Sequence, residues 1–344
     1  MSSRSPVIRV LRPGILSTVQ DLGRSGLQHL GIVPCGAMDT VSHRLANALV
    51  GNAAGEATVE ITVLGPELRF ETSSLIALCG ARFEASVNGA PCPLDRPVLV
   101  GAGARLLLGR ALLGARCYLA IAGGIAVRPA LGSRSTYVPA GFGGFAGRAL
   151  LAGDQLELRA DVAQISAERF ERLVSQGARL LQAAQLRSVR WSTLPMTMPN
   201  RDPIIVRALT GMHAELFDDA AKHALFDSTW RVAAESNRIG YRLLGPVLSR
   251  RTAGDVLSGP TCLGTVQVPI SGQPIVLMAD HQTTGGYPKL AEVISADVAR
   301  LGQLLPGARL RFMRCDLEEA LKLRHVLAQR LTTCEQAISS EYGN

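Results

Sequence analysis

The densest group of reactive side chains in the chain is Asp280-His281-Gln282-Thr283-Thr284-Gly285-Gly286-Tyr287-Pro288-Lys289, directly after the apolar run PIVLMA at 274–279. An acid, an imidazole, an amide, two hydroxyls, a phenol and an ammonium follow a strand-like segment, where binding loops commonly sit. In such a group Asp280 suits a general base, and Lys289 suits a partner for negative charge that develops during reaction. The structural alternative is a turn capped by Asp280 with Lys289 in solvent. On the catalytic reading, Asp280→Ala abolishes turnover and leaves folding intact.

Four further patches interleave polar residues with glycine, as expected where backbone must approach a ligand closely. In Thr18-Val19-Gln20-Asp21-Leu22-Gly23-Arg24, the amide of Gln20, the carboxylate of Asp21 and the guanidinium of Arg24 fall within five residues. They suit a ligand site, or a turn closed by a salt bridge. Gly132-Ser133-Arg134-Ser135-Thr136-Tyr137, with Gly141-Phe142-Gly143-Gly144 beyond it, offers hydroxyls and N–H groups that could cradle an oxyanion, or a plain glycine-rich loop. Asn237 and Arg238 lie side by side in Glu235–Arg242, a pair able to hold an amide or carboxylate through fork-like hydrogen bonds, or to cap a turn. Gln267, in Gln267-Val268-Pro269 with Gly272 beyond it, carries little weight by itself.

Common cofactor signatures are missing: no GxxxxGK[ST], no GxGxxG between a strand and a helix, no GxSxG, no HExxH and no AMKM-type biotinylation site. His29, His43, His213, His223 and His325 lack ligand spacing, so no metal is expected. The seven cysteines are odd in number and form no CxxC pair, which argues against a disulfide framework and fits a reducing cytoplasm. The net charge of +8 raises the question of an anionic polymer as partner, but the basic residues are scattered and only 4% of residues are aromatic. Nucleic-acid binding is therefore not expected. Neither a secretion signal nor a membrane segment is expected, because the apolar run Cys117–Val127 is too short to span a bilayer.

The elements that must hold these patches are mostly strands. Between Val7 and Arg159 runs such as VIRVL, TVEITVL, ELRF, LIALCG, FEASVNG, PVLVG, RLLLG, CYLAIAGG and QLELRA recur with turn residues between them, a spacing that suggests a barrel or sandwich. MDTVSHRLANALVG interrupts them as a helix, with Val41, Leu45, Ala48 and Leu49 on one face and Asp39 as N-cap. A helical period from Asp161 to Ala184 reads as a connection. After the loop STLPMTMPNRDP the strand pattern returns (IIVRAL, WRVAAES, YRLLG, TVQVPI, PIVLMAD, RLRFM), and Asp316 opens a C-terminal helix. The expected fold class is mostly β with a few helices. The expected domains are 1–160, a helical connection and loop at 161–200, 201–315, and a C-terminal helix and tail at 316–344. A seven-residue echo, LGPELRF at 64–70 and LGPVLSR at 244–250, hints at duplication of one β-fold.

TVQDLGRSGLQHLGI, RLANALVGN, GSRSTY with FGG, SNRIGYRL and DHQTTGGYPKLAEVISAD together resemble the allophanate hydrolase subunit 2 family, also called the biotin-dependent carboxyltransferase A/B family, from about residue 7 to 315. The resemblance implies two cyclophilin-like β-barrel domains. It implies a cytoplasmic hydrolase, the C component of an ATP-dependent 5-oxoprolinase complex that opens 5-oxoproline to glutamate. A sister subunit of the KipI/PxpB type and a PxpA-like subunit would act beside it, with ATP bound among the partners and no biotin attached to this chain. Asp280, Lys289 and Arg238 would be catalytic, and Gln20, Asp21, Arg24, Asn237, Gln267, Gln282, Thr283 and Tyr287 would bind substrate. The family also implies an acidic residue ahead of Gln267, where this chain reads Leu257-Ser258-Gly259-Pro260. Its other activities are the carboxyltransferase step of a biotin-dependent urea-type carboxylase, and regulatory binding without turnover as in KipA.

Overall fold

The computed structural model describes residues 6–183, 185–199, 201–251 and 256–343, and among them the chain divides into two units that do not follow sequence order. The first takes in the described residues of 1–23, 40–198 and 330–344, and the second those of 24–39 and 199–329.

The first unit is built on an eleven-stranded sheet. Its central pair is Ser74–Val87 and Arg105–Ile121, antiparallel from Ile76↔Ile121 to Val87↔Leu106. Each joins two runs that the sequence separates, LIALCG with FEASVNG and RLLLG with CYLAIAGG. The register shifts between Gly80 and Ala85 explain this, because bulges let one long strand bend without ending. Leu16–Gln20 pairs with Thr58–Thr62, which pairs in turn with Arg105–Ile121. Alternating apolar residues, among them Ile8, Val19, Ile61, Leu68, Phe70, Leu78, Leu106 and Leu119, fill the core. Helix α1 (Thr40–Leu49) buries Val41, Leu45 and Leu49 as its period demands. Helix α2 (Val162–Ser175) is shorter than the expected 161–184 helix: Gly177 turns the chain at φ 81°, and Leu180–Ala183 pairs as a strand with Leu186–Val189. Ala184 lies outside the described residues.

The second unit closes into a seven-stranded barrel in the order Ile204–Thr210, Lys289–Val293, Thr265–Gln267, Ile275–Leu277, Gly240–Leu244, Trp230–Val232 and Arg309–Arg314. Parallel pairing of Ile204–Thr210 with Arg309–Arg314 makes the closure and leaves no open sheet edge. Trp230 fills the interior, and its indole N–H donates to the Leu225 carbonyl at 2.9 Å, satisfying the one polar atom it buries. Helix α3 (Asp219–Asp227) starts at Asp218, whose carboxylate accepts from the Ala221 N–H at 2.6 Å, and helix α4 (Ser295–Leu301) follows Ile294. In helix α5 (Leu317–Glu341), Asp316 accepts from the Glu319 N–H at 2.8 Å, as its position ahead of the helix led one to expect. Of the internal echo, Glu67–Phe70 is a strand, whereas residues 245–249 are irregular. Among the described residues the chain is mostly β with five α-helices, and no helix there is long and apolar enough to cross a membrane.

Candidate functional site

In the first unit Gln20 ends the strand Leu16–Gln20, and Asp21 leaves it into the turn at Gly23. Asp21 Oδ1 accepts from the hydroxyls of Ser133 and Ser135, both at 2.6 Å, and from the Gly23 N–H at 2.8 Å. Its Oδ2 accepts from the Arg134 N–H at 2.5 Å, and its own N–H donates to Ser135 Oγ at 3.0 Å. The hydroxyls and N–H groups that the sequence offers as an oxyanion cradle are thus filled by the protein's own carboxylate. Several charge-assisted hydrogen bonds to a buried acceptor make this a rigid tie between two loops. Gln20 is fully buried, and its amide N–H₂ donates to Thr18 Oγ1 and the Thr136 carbonyl, both at 3.1 Å. His43, on α1, is buried against Thr58 Oγ1 (3.0 Å) and the Ala54 carbonyl (3.1 Å). Burial holds its imidazole down at about 4, so it is neutral near pH 7.

In the second unit Arg238 and Asp280 meet as a buried fork. Nε donates to Oδ2 at 2.9 Å and an Nη to Oδ1 at 2.8 Å, and the same Nη donates to the Gly36 carbonyl at 2.7 Å. Backbone pairing locks the geometry, since the Asp280 N–H donates to the Arg238 carbonyl at 2.8 Å. Beside Gly36 lies Cys35, a residue the sequence reading passed over. It is buried and holds φ at 56°, a left-handed conformation uncommon for any residue but glycine. Burial first, then the Asp280 carboxylate, push its thiol up to about 12, against the pull of Arg24 and Arg238. The Pro34-Cys35-Gly36 turn was the available signal. Arg24 is buried, its N–H donating to the Pro34 carbonyl at 2.8 Å. Asn237 is exposed, with Oδ1 accepting from the Ile239 N–H at 2.8 Å, an Asx turn that presents Arg238.

A second polar set surrounds the short pair Gly259–Pro260 and Thr284–Gly285. Buried Gln267 accepts at Oε1 from the Gln282 amide (3.2 Å) and donates to the Tyr287 carbonyl (3.5 Å). The Thr283 carbonyl accepts from the Thr261 N–H at 3.1 Å, and Tyr287 is 41% exposed. His281 Nδ1 lies 2.7 Å from the Gln282 carbonyl, and burial lowers the imidazole's pKa. Lys289 opens its strand with only 3% of its surface exposed. Its N–H donates to His213 Nδ1 at 3.3 Å, and the His213 N–H donates to its carbonyl at 3.1 Å.

Gln20 and Asp21 therefore lie in the first unit, and all the other candidates in the second. Among the described residues no group of histidine, cysteine or carboxylate side chains is arranged to hold a metal. A cavity of about 410 Å³ in the first unit, lined by Arg44, Arg169, Arg172, Glu335 and Tyr342 among others, contains none of the candidates.

The family model for the carboxyltransferase domain, subdomain A and B, matches residues 30–314. The C component of 5-oxoprolinase from Escherichia coli (strain K12) is 41% identical over 318 residues, covering 92% of this chain and 94% of that protein. The corresponding 5-oxoprolinase component of Haemophilus influenzae is 37% identical over 308 residues, covering 90% and 91%. The crystal structure of the Kluyveromyces lactis urea carboxylase superposes with a TM-score of 0.85 at 29% identity, over 98% of this chain and 30% of that one.

Proposed function

The chain belongs to the carboxyltransferase domain family, subdomain A and B, and we propose that it is the C component of an ATP-dependent 5-oxoprolinase, a hydrolase complex that opens 5-oxoproline to glutamate. What carries the reading is the 41% identity to a protein of that name across nearly the full length of both chains. The likeness to the urea carboxylase is weaker in sequence and covers under a third of that chain, so carboxyl transfer is the second reading.

Ring opening asks for three things. The lactam oxygen must be activated, water must reach the ring carbon, and the ring nitrogen must leave as an amine. ATP is a substrate here: transfer of its terminal phosphoryl group to the lactam oxygen releases ADP and supplies the activation. The ring nitrogen then leaves the water adduct as a protonated amine, and a second water splits the resulting acyl phosphate into the carboxylate and inorganic phosphate. ATP would sit among the partner subunits, one of the KipI/PxpB type and one PxpA-like, since no motif in this chain locates the nucleotide. This chain contributes polar groups fixed before substrate arrives, which is how electrostatic preorganisation lowers a barrier. Arg238 and Asp280 hold each other and supply a donor set and a base, Lys289 supplies positive charge, and Gln267, Gln282, Thr283, Tyr287, Asn237 and Arg24 shape the pocket.

The test is to purify the tagged chain with its partners and measure glutamate formed from 5-oxoproline. Formation that needs ATP but neither bicarbonate nor a biotinylated chain supports the reading. A requirement for biotin and bicarbonate supports carboxyl transfer instead, and tight partner binding without turnover supports a regulator.

A further inference from the structure

We propose that Lys289, together with the open side-chain position at Gly259, forms a receptor for a carboxylate on the substrate. Three observations carry this. The Lys289 ammonium is buried, and its partners are the Pro260 carbonyl and the Met212 sulfur at 3.8 Å, neither of which bears a charge. Among the described residues no carboxylate oxygen lies within 4 Å of Nζ. Glu292 is near enough to feel the ammonium, but burial raises its pKa and it accepts from Thr265 Oγ1 at 2.7 Å.

A buried ammonium that no carboxylate among the described residues reaches within ion-pair distance is costly, and its backbone is held in place by His213, which bonds both the Lys289 N–H and its carbonyl. Of its three N–H donors, one serves Pro260 and one faces a weak acceptor, which leaves one unassigned. The space beside it is kept clear by Gly259. A Cβ built there meets Lys289 Nζ at 3.7 Å and the Leu257 carbonyl at 4.0 Å, both ordinary contacts. Gly259 is not among the residues with positive φ, so neither backbone nor crowding demands glycine at this position. A side chain added there would start in contact with the ammonium. One ammonium beside an uncharged carbonyl balances the single charge of a carboxylate, whereas a phosphate dianion would keep a second, uncompensated buried charge. The identity of that monoanion as the carboxylate of 5-oxoproline rests on the function proposed above.

The experiment compares wild type with Gly259→Asp, Gly259→Asn and Lys289→Met. In thermal unfolding, Gly259→Asp is expected to raise Tm by about 3 °C or more by neutralising the ammonium, and Gly259→Asn is not. Acetate is expected to raise the Tm of wild type more than inorganic phosphate does, and to leave Gly259→Asp and Lys289→Met unmoved. In the assembled complex, Gly259→Asp should raise the KM for 5-oxoproline about tenfold or more, with a smaller change in kcat. Equal Tm values and equal acetate responses in wild type and Gly259→Asp would overturn the receptor, as would a stronger response to phosphate. Acetate binding without 5-oxoproline turnover would sink the functional reading and leave the receptor standing. Turnover with an unchanged KM in Gly259→Asp would do the reverse. Should Gly259→Asp fail to fold, the loss or retention of the acetate response in Lys289→Met decides the matter.

Discussion

At the scale of single residues, burial changes what the candidate acids and bases can do. The sequence presents Asp280 as a group removable without cost to the fold, but it is 3% exposed and shares two hydrogen bonds with Arg238. Removing it leaves a guanidinium buried without its counter-ion, a loss of about 3–5 kcal/mol. Urea unfolding of Asp280→Ala should show that loss, and adding Arg238→Met should recover part of it. A midpoint equal to wild type would mean the pair contributes nothing to stability. His43 makes a prediction in pH. Its imidazole takes a proton near 6.5 when exposed but near 4 in the fold, so acid favours the unfolded chain between those values. The contribution is fully present above about pH 6.5 and is lost as pH falls toward 4, by up to about 3 kcal/mol. His43→Gln should flatten that fall relative to wild type in unfolding measured across the window, and parallel curves would contradict it. Residue types picked out stretches that do build polar clusters, Asp280 to Lys289 and Asn237-Arg238. What sequence does not carry is pairing: Asp21 is consumed by Ser133, Ser135 and Arg134, over a hundred positions away.

At the scale of elements, the position of Lys289 depends on its strand being pressed close to the turn before His213. Gly211 makes that approach, since a Cβ there would meet the Lys289 carbonyl at 2.4 Å and the Ala291 N–H nitrogen at 2.6 Å. Gly211→Ala must push the strand away, and a cost of about 1–3 kcal/mol is expected, with a weaker response to acetate than in wild type. A variant as stable as wild type with an unchanged response would show that the strand is free to shift. Most strands were legible because alternation and turn residues are local signals, as in Glu67–Phe70 and Ile204–Thr210. Long strands were split at their bulges, where alternation breaks although pairing continues. Helix α3 was overlooked despite its Asp218 cap, and the helical reading of 180–183 failed because short apolar runs suit either period and only pairing with Leu186–Val189 decides.

At the scale of the whole molecule, the mostly-β class was readable from the recurrence of short strands, whereas the membership of residues 24–39 in the second unit was not. No composition shift marks that segment. What places it there is a set of distant partners: Arg238 on the Gly36 carbonyl, and the Gln303 amide on Asp39 at 2.7 Å. This chain's part in opening a lactam is measured by adding the chain back. Extract from a host strain lacking it should form no glutamate from 5-oxoproline and ATP, and adding the purified chain should restore formation. Undiminished conversion without the chain, or none after its addition to intact partners, would contradict the account.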